Sequence, residues 1–115
     1  MKAIFKKAGV RKPELVEIQN ELKELQGKVD GYIEMIPIGD RAVLIVNEEG
    51  KLRNLPINFW IGSQGSVLDC IRGDVLICAT DGEELCDLSD EQTETFMEML
   101  TDVDVVGLRT VVFLD

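Results

Sequence analysis

Residues 31–50 read GYIEMIPIGDRAVLIVNEEG, and their pattern decides the fold. The arm Tyr32–Ile38 suits a strand, Gly39-Asp40 is a turn pair, and Ala42–Val46 is an unbroken apolar run. A strand that is apolar at every position has no solvent face, so Ala42–Val46 is predicted as central and covered on both sides. Pro37 cannot donate to a ladder, which puts the first arm at a sheet edge or near its end.

On the N-terminal side, Lys2–Lys6 and Glu14–Ile18 read as strands around a polar turn from Gly9 to Pro13. Asn20 is a suitable N-cap for a short helix whose buried face is Leu22, Leu25 and Val29, closed by Gly31. On the other side, Asn47–Gly50 is a turn, Lys51-Leu52-Arg53 a short strand, and Asn54–Ser66 an irregular segment interrupted by Pro56, Gly62 and Gly65. Asp74–Thr80 is predicted as a strand, turning at Asp81-Gly82 into a return arm Glu84–Cys86. Ser89 and Gln92 form a capping box for a second helix that buries Thr93, Phe96, Met97 and Leu100. Val103–Leu114 reads as a final strand or bent pair. Two short helices cover only a small sheet. The prediction is one α+β domain with a single mixed or antiparallel curved sheet, residues 1–100 as its body and 101–115 as a strand extension.

Charge is unevenly placed. Residues 1–28 hold seven Lys/Arg against four Asp/Glu, and residues 29–115 hold five against eighteen, so the net charges are +3 and −13. Eleven acids and no base lie between Gly73 and Leu108. Such a field repels nucleic acid and anionic membrane and favours basic partners. No apolar run approaches the roughly 18 residues of a membrane span. The N-terminal lysines have no apolar stretch behind them, so no export signal is expected and the predicted location is cytoplasmic.

Two stretches, NEEGKLRNLPINFW from Asn47 and GDVLICATDGEELCDLSDEQTETFMEML from Gly73, follow the GYIEMIPI arm in order. Together they resemble the phage and bacterial family known as domain of unknown function 3846, over roughly Ala3 to Leu100. The resemblance implies a phage, prophage or mobile-element setting in a bacterial host cell and supplies no activity. Where the family pattern carries an arginine after the asparagine of the Leu55-Pro56-x-Asn58 step, this chain has Phe59.

Histidine is absent, which removes the commonest general base near neutral pH and every Ser-His or Cys-His scheme within one chain. Cys70, Cys78 and Cys86 include no close pair and lack a fourth ligand for zinc, so they are predicted as core thiols, with no metal and no cofactor. The Gly-Ser-Gln-Gly-Ser run at Gly62–Ser66 lacks the Lys-Ser/Thr that completes a phosphate loop.

Two binding surfaces remain. Lys51, Arg53, Asn58, Phe59, Trp60, Ser63 and Gln64 offer cations for phosphate, amides for an edge and an aromatic face for stacking, which suits a nucleotide-like molecule. The plainer reading is that Phe59 and Trp60 plug the core. Glu91, Glu94 and Glu98 fall at i, i+3 and i+7 on a helix face opposite Phe96, with no cation at helical spacing. They read either as a solvated face or as a stripe for a basic host protein, imitating DNA phosphates. The expected function is a non-enzymatic binder that sequesters a nucleotide-like host-defence signal. The alternative is an acidic interaction inhibitor, and Val103–Leu114 is the candidate homo-oligomer interface.

Overall fold

A computed structural model describes residues 1–39 and 41–101, together with the backbone of 111–113. The elements in chain order are β1 (Lys2–Lys6), β2 (Glu14–Glu17), α1 (Leu22–Val29), β3 (Ile33–Pro37), β4 (Ala42–Asn47), β5 (Ile57–Ser63), β6 (Ser66–Arg72), β7 (Val75–Asp81), β8 (Glu84–Cys86), α2 (Asp90–Thr101) and β9 (Val111–Phe113). The domain is α+β, with two helices and mostly antiparallel strands. Its strands divide between two sheets. The larger runs β2-β1-β7-β4-β3 with β8 added to β7, and the smaller runs β6-β5-β9.

β4 is central, between β7 and β3, and all six of its residues are buried. From Ala42 to Val46 its side chains alternate between two cores, which is why no polar residue stands before Asn47 at its end. Val43 and Ile45 join Ala3, Phe5, Leu76 and Cys78 under α1. Ala42, Leu44 and Val46 join Ile4, Ile77, the β5–β6 residues Phe59, Ile61 and Ile71, and the α2 residues Phe96 and Leu100. The larger sheet therefore carries α1 on one face and both α2 and the smaller sheet on the other. β3 lies at the edge, as Pro37 requires.

Local chemistry sets the ends of the helices. Ser89 Oγ accepts the Gln92 N–H at 3.0 Å and Gln92 Oε1 accepts the Ser89 N–H at 2.9 Å, a complete capping box. At α1 the expected cap is not made: Glu21 holds the N-cap position without a side-chain bond, and Asn20 donates instead to the Leu85 carbonyl at 3.3 Å. Leu25 and Val29 are buried as expected, but Leu22, in the first turn of α1, is exposed. The chain leaves α1 through Asp30 in the left-handed region, with the Gly31 N–H returning to the Gln26 carbonyl at 3.1 Å.

The largest correction lies between Lys51 and Arg72. Lys51-Leu52-Arg53 is a run of turns rather than a strand, bonded from Arg53 N–H to the Glu49 carbonyl and from Leu55 N–H to the Gly50 carbonyl. Asn54–Ser66 is not irregular: from Ile57 it forms β5, which turns at Gln64-Gly65 into β6. This hairpin carries two bulges, with Asn58 the extra residue on β5 and Leu68 the extra residue on β6. β9 pairs in parallel with β5, Trp60 to Gly62 against Val111 to Phe113. The rest of the 101–115 extension after Thr101, and with it most of the proposed Val103–Leu114 interface, lies outside the described residues.

Candidate functional site

The turn after β4 is a polar corner built from residues that resemble a ligand loop in sequence. Asn47 is buried, yet its amide nitrogen donates to the carbonyls of Val29 and Asp30 at 3.0 and 3.1 Å, closing the end of α1. Its oxygen accepts the Glu49 N–H at 2.8 Å, which shapes the turn. Arg53 reinforces the same helix end, donating to the Asp30 carbonyl at 2.7 Å and lying 3.4 Å from the Asp30 carboxylate. Opposite charge at a helix C-terminus is favourable, so Arg53 has a structural position rather than an open one.

Asn58 performs the same task between the two sheets. The bulge turns its amide inward, where it donates to the carbonyls of Lys6 and Gly73, both at 2.9 Å. Its oxygen accepts from Lys6 Nζ at 3.0 Å, and Lys6 Nζ also reaches the Lys7 carbonyl at 3.0 Å. Lys6 is only 1 % exposed. Burial pulls its ammonium below the ordinary lysine range, and Asp74 opposes that shift. Gly73 completes the joint: a Cβ there would stand 2.9 Å from Leu55 Cδ1, on a backbone at φ +82°.

Among the described residues the predicted ligand loop does not converge on one cavity. Asn58 and Phe59 are buried, Phe59 in the core beneath the smaller sheet. Trp60 lies half-buried on β5 beside Cys70 of β6, and Ser63 and Gln64 lie at the β5–β6 turn. Of the seven residues, only Lys51 lines a cleft of about 160 Å³ between β3 and β6. Sequence reasoning missed its neighbours there. Ile36, Val46 and Ile71 contribute apolar walls, and Glu34, Glu48, Asp69 and Arg72 bring charge.

Lys51 Nζ donates to the Asp69 carboxylate. That bond raises the Lys51 pKa above its usual value. Burial works to raise Asp69, but the bonds from Lys51 and from the Cys70 N–H outweigh it and hold the carboxyl below its ordinary range. The Arg72 guanidinium donates to Asn54 Oδ1 at 3.3 Å and to the Leu55 carbonyl at 3.0 Å.

The second surface is simpler. Glu91, Glu94 and Glu98 are all exposed, and none has an ion pair among the described residues. α2 has Asp90 and Glu91 in its first turn and no base in its last. Of the thiols, Cys70 and Cys78 are buried and Cys86 is half-buried. Burial pushes the Cys78 thiol up to about 12. Among the described residues no group of Cys, Asp and Glu is placed to hold a metal ion, and no helix is long and apolar enough to cross a membrane.

The family model described as Domain of unknown function (DUF3846) matches residues 1–101. The chain belongs to this family. No curated protein and no solved structure matches it. The DUF3846 match ends with α2, so it takes in the corner, the cleft and the acidic helix face together. The stretch from Asn47 that carries the family resemblance maps onto the corner. Asn47, Arg53, Leu55 and Asn58 there hold α1, the turn and the two sheets in place.

Proposed function

We propose that this DUF3846 chain is a non-catalytic binding protein whose acidic surface receives a basic protein partner. The observation that carries this reading is the outer face of α2, where Glu91, Glu94 and Glu98 stand exposed and unpaired among the described residues. Like charges at helical spacing cost a few tenths of a kcal/mol per pair, so the face is slightly unfavourable to the isolated fold. A cationic partner relieves that repulsion. The absence of histidine fits a task that needs no turnover.

A second reading is capture of a nucleotide-like small molecule. Its support is the cleft, which brings Lys51 and Arg72 together over Ile36, Val46 and Ile71. In a phage or mobile-element setting, holding a host-defence messenger without hydrolysing it is sufficient to silence it. One binding experiment separates the two. The protein is titrated with a basic polypeptide and with a panel of mono-, di- and cyclic nucleotides, each at low and high salt. The first reading predicts polypeptide binding that weakens steeply with salt and is lost when Glu91, Glu94 and Glu98 are all changed to Gln. Salt-independent polypeptide binding, or tight binding of a nucleotide alone, refutes it.

A further inference from the structure

We propose that the cleft between β3 and β6 is a socket for one lysine or arginine side chain of a partner protein. This rests on the reading of the chain as a binder of basic protein and says where such a partner is anchored. The cleft has a largely polar, charged lining, to which Ile36, Val46 and Ile71 add an apolar part. Glu34 pairs with Val46 and Ile36 with Leu44 across β3 and β4, so Glu34 and Ile36 share the face that looks toward the smaller sheet. Ile71 of β6 meets them from the other side. Ile36 is half-buried, and its remaining surface is what the methylene stem of a basic side chain would cover while the head stays at the water boundary.

The rim decides the sign of the ligand. It holds two cations and three carboxylates, but they are not equally committed. Lys51 is bonded to Asp69, so these two largely neutralise each other. Asn54 and the Leu55 carbonyl fix the Arg72 guanidinium without cancelling its charge, so it offsets one of the two remaining carboxylates. The Glu34 and Glu48 carboxylates have no hydrogen bond or ion pair among the described residues, and Lys51 acts on Glu34 only through its field. The charge left to greet a ligand is therefore negative. An anion would have to displace Asp69 from Lys51 and then sit beside two further carboxylates. A cation finds Glu34 and Glu48 already free.

Size points the same way. About 160 Å³ is below the range of roughly 300–1,000 Å³ usual for small-molecule pockets, and it admits one side chain rather than a whole nucleotide.

The test is an NMR titration of the full chain, following the methyl groups of Ile36, Val46 and Ile71. The probes are N-acetyl-lysine amide and N-acetyl-arginine amide, the uncharged norleucine analogue and adenosine monophosphate. The two basic amides should shift these methyls in a saturable way. Norleucine amide and the nucleotide should not. Glu34→Gln with Glu48→Gln should weaken the basic amides roughly fivefold. Changing Glu91, Glu94 and Glu98 to Gln should alter them less than about twofold, because those acids lie on α2 outside the cleft. No shift, an equal response to norleucine or to the nucleotide, or indifference to the Glu34 and Glu48 changes would each overturn the socket. The basic-partner reading fails separately: it falls if polypeptide binding survives loss of the α2 acids, whatever the cleft does.

Discussion

The corner around Asn47, Arg53 and Asn58 and the outer face of α2 are both polar, yet they stand in opposite relations to the fold. In the corner the amides are buried, and no buried side-chain nitrogen or oxygen lacks a partner among the described residues. On α2 the carboxylates are exposed and unpaired among those residues. The difference teaches how to weigh a polar residue. A buried amide with three bonds cannot be removed without stranding its partners, whereas an exposed carboxylate loses only screened Coulomb energy. The corner is therefore where stability concentrates. The helix face is where selection for binding can act at little structural cost.

The comparison is broken most directly at Asn58. Asn58→Ala removes three hydrogen bonds and leaves the Lys6 ammonium with one recorded acceptor, the Lys7 carbonyl. The expected loss is about 2–4 kcal/mol in urea unfolding, the cost of stranding two buried carbonyls and losing one hydrogen bond to a charged group. Adding Lys6→Met should return about 1 kcal/mol or more, because it takes away the stranded charge and keeps the stem. A loss below about 1 kcal/mol for Asn58→Ala would show that the joint between the sheets is not a stability centre.

Much of this arrangement was legible from pattern alone, and the failures have physical causes. Ala42–Val46 is readable because burial on both faces leaves no place for a polar residue. Pro37 at the edge and the Ser89–Gln92 box are readable because each satisfies a local rule. β5 and β6 were not, because the bulges at Asn58 and Leu68 break the two-residue period and Gly62 and Gly65 mimic loop composition. Leu22 failed because helical spacing shows which residues share a face, not which of them the rest of the fold covers. The cleft was least legible, since Glu34, Asp69 and Arg72 meet only when two sheets pack. Asn58 and Arg53, expected as ligand contacts, carry structural bonds that sequence does not reveal, for a related reason. An amide aimed at a nucleotide and an amide aimed at a carbonyl look the same in sequence.

A second contrast is between buried and exposed titratable groups, and it is sharpened by pH. Burial holds the Cys78 thiol at about 12 against an ordinary value of 9.0. As pH rises through the unfolded value, the unfolded chain loses this proton first, so stability should fall between about 9 and 12. Lys6 has the opposite sign. Its folded pKa is lowered, so the folded state releases its proton first and stability rises up to 10.5. Urea midpoints measured from neutral to alkaline pH should show the decline, to which the raised Cys70 thiol and Lys51 ammonium also contribute, and Cys78→Ala should make it shallower without abolishing it. A Cys78→Ala protein with an unchanged alkaline decline would assign the loss elsewhere.

The smallest expected effect lies on α2. Glu98→Lys replaces an acid near the helix C-terminus, where no base complements the helix dipole, and places a cation four residues after Glu94. Both changes are favourable, and together they should stabilise the fold by roughly 0.5 kcal/mol at low salt, fading as salt is added. The same substitution should weaken a basic partner that uses this face. A protein selected only for folding would gain from the lysine, since the exposed site imposes no packing constraint. If Glu98→Lys stabilises the fold without affecting polypeptide binding, the acids of α2 are a solvated surface and nothing more. If it stabilises the fold and weakens binding, the acidic face is held at a small cost to stability because the partner requires it.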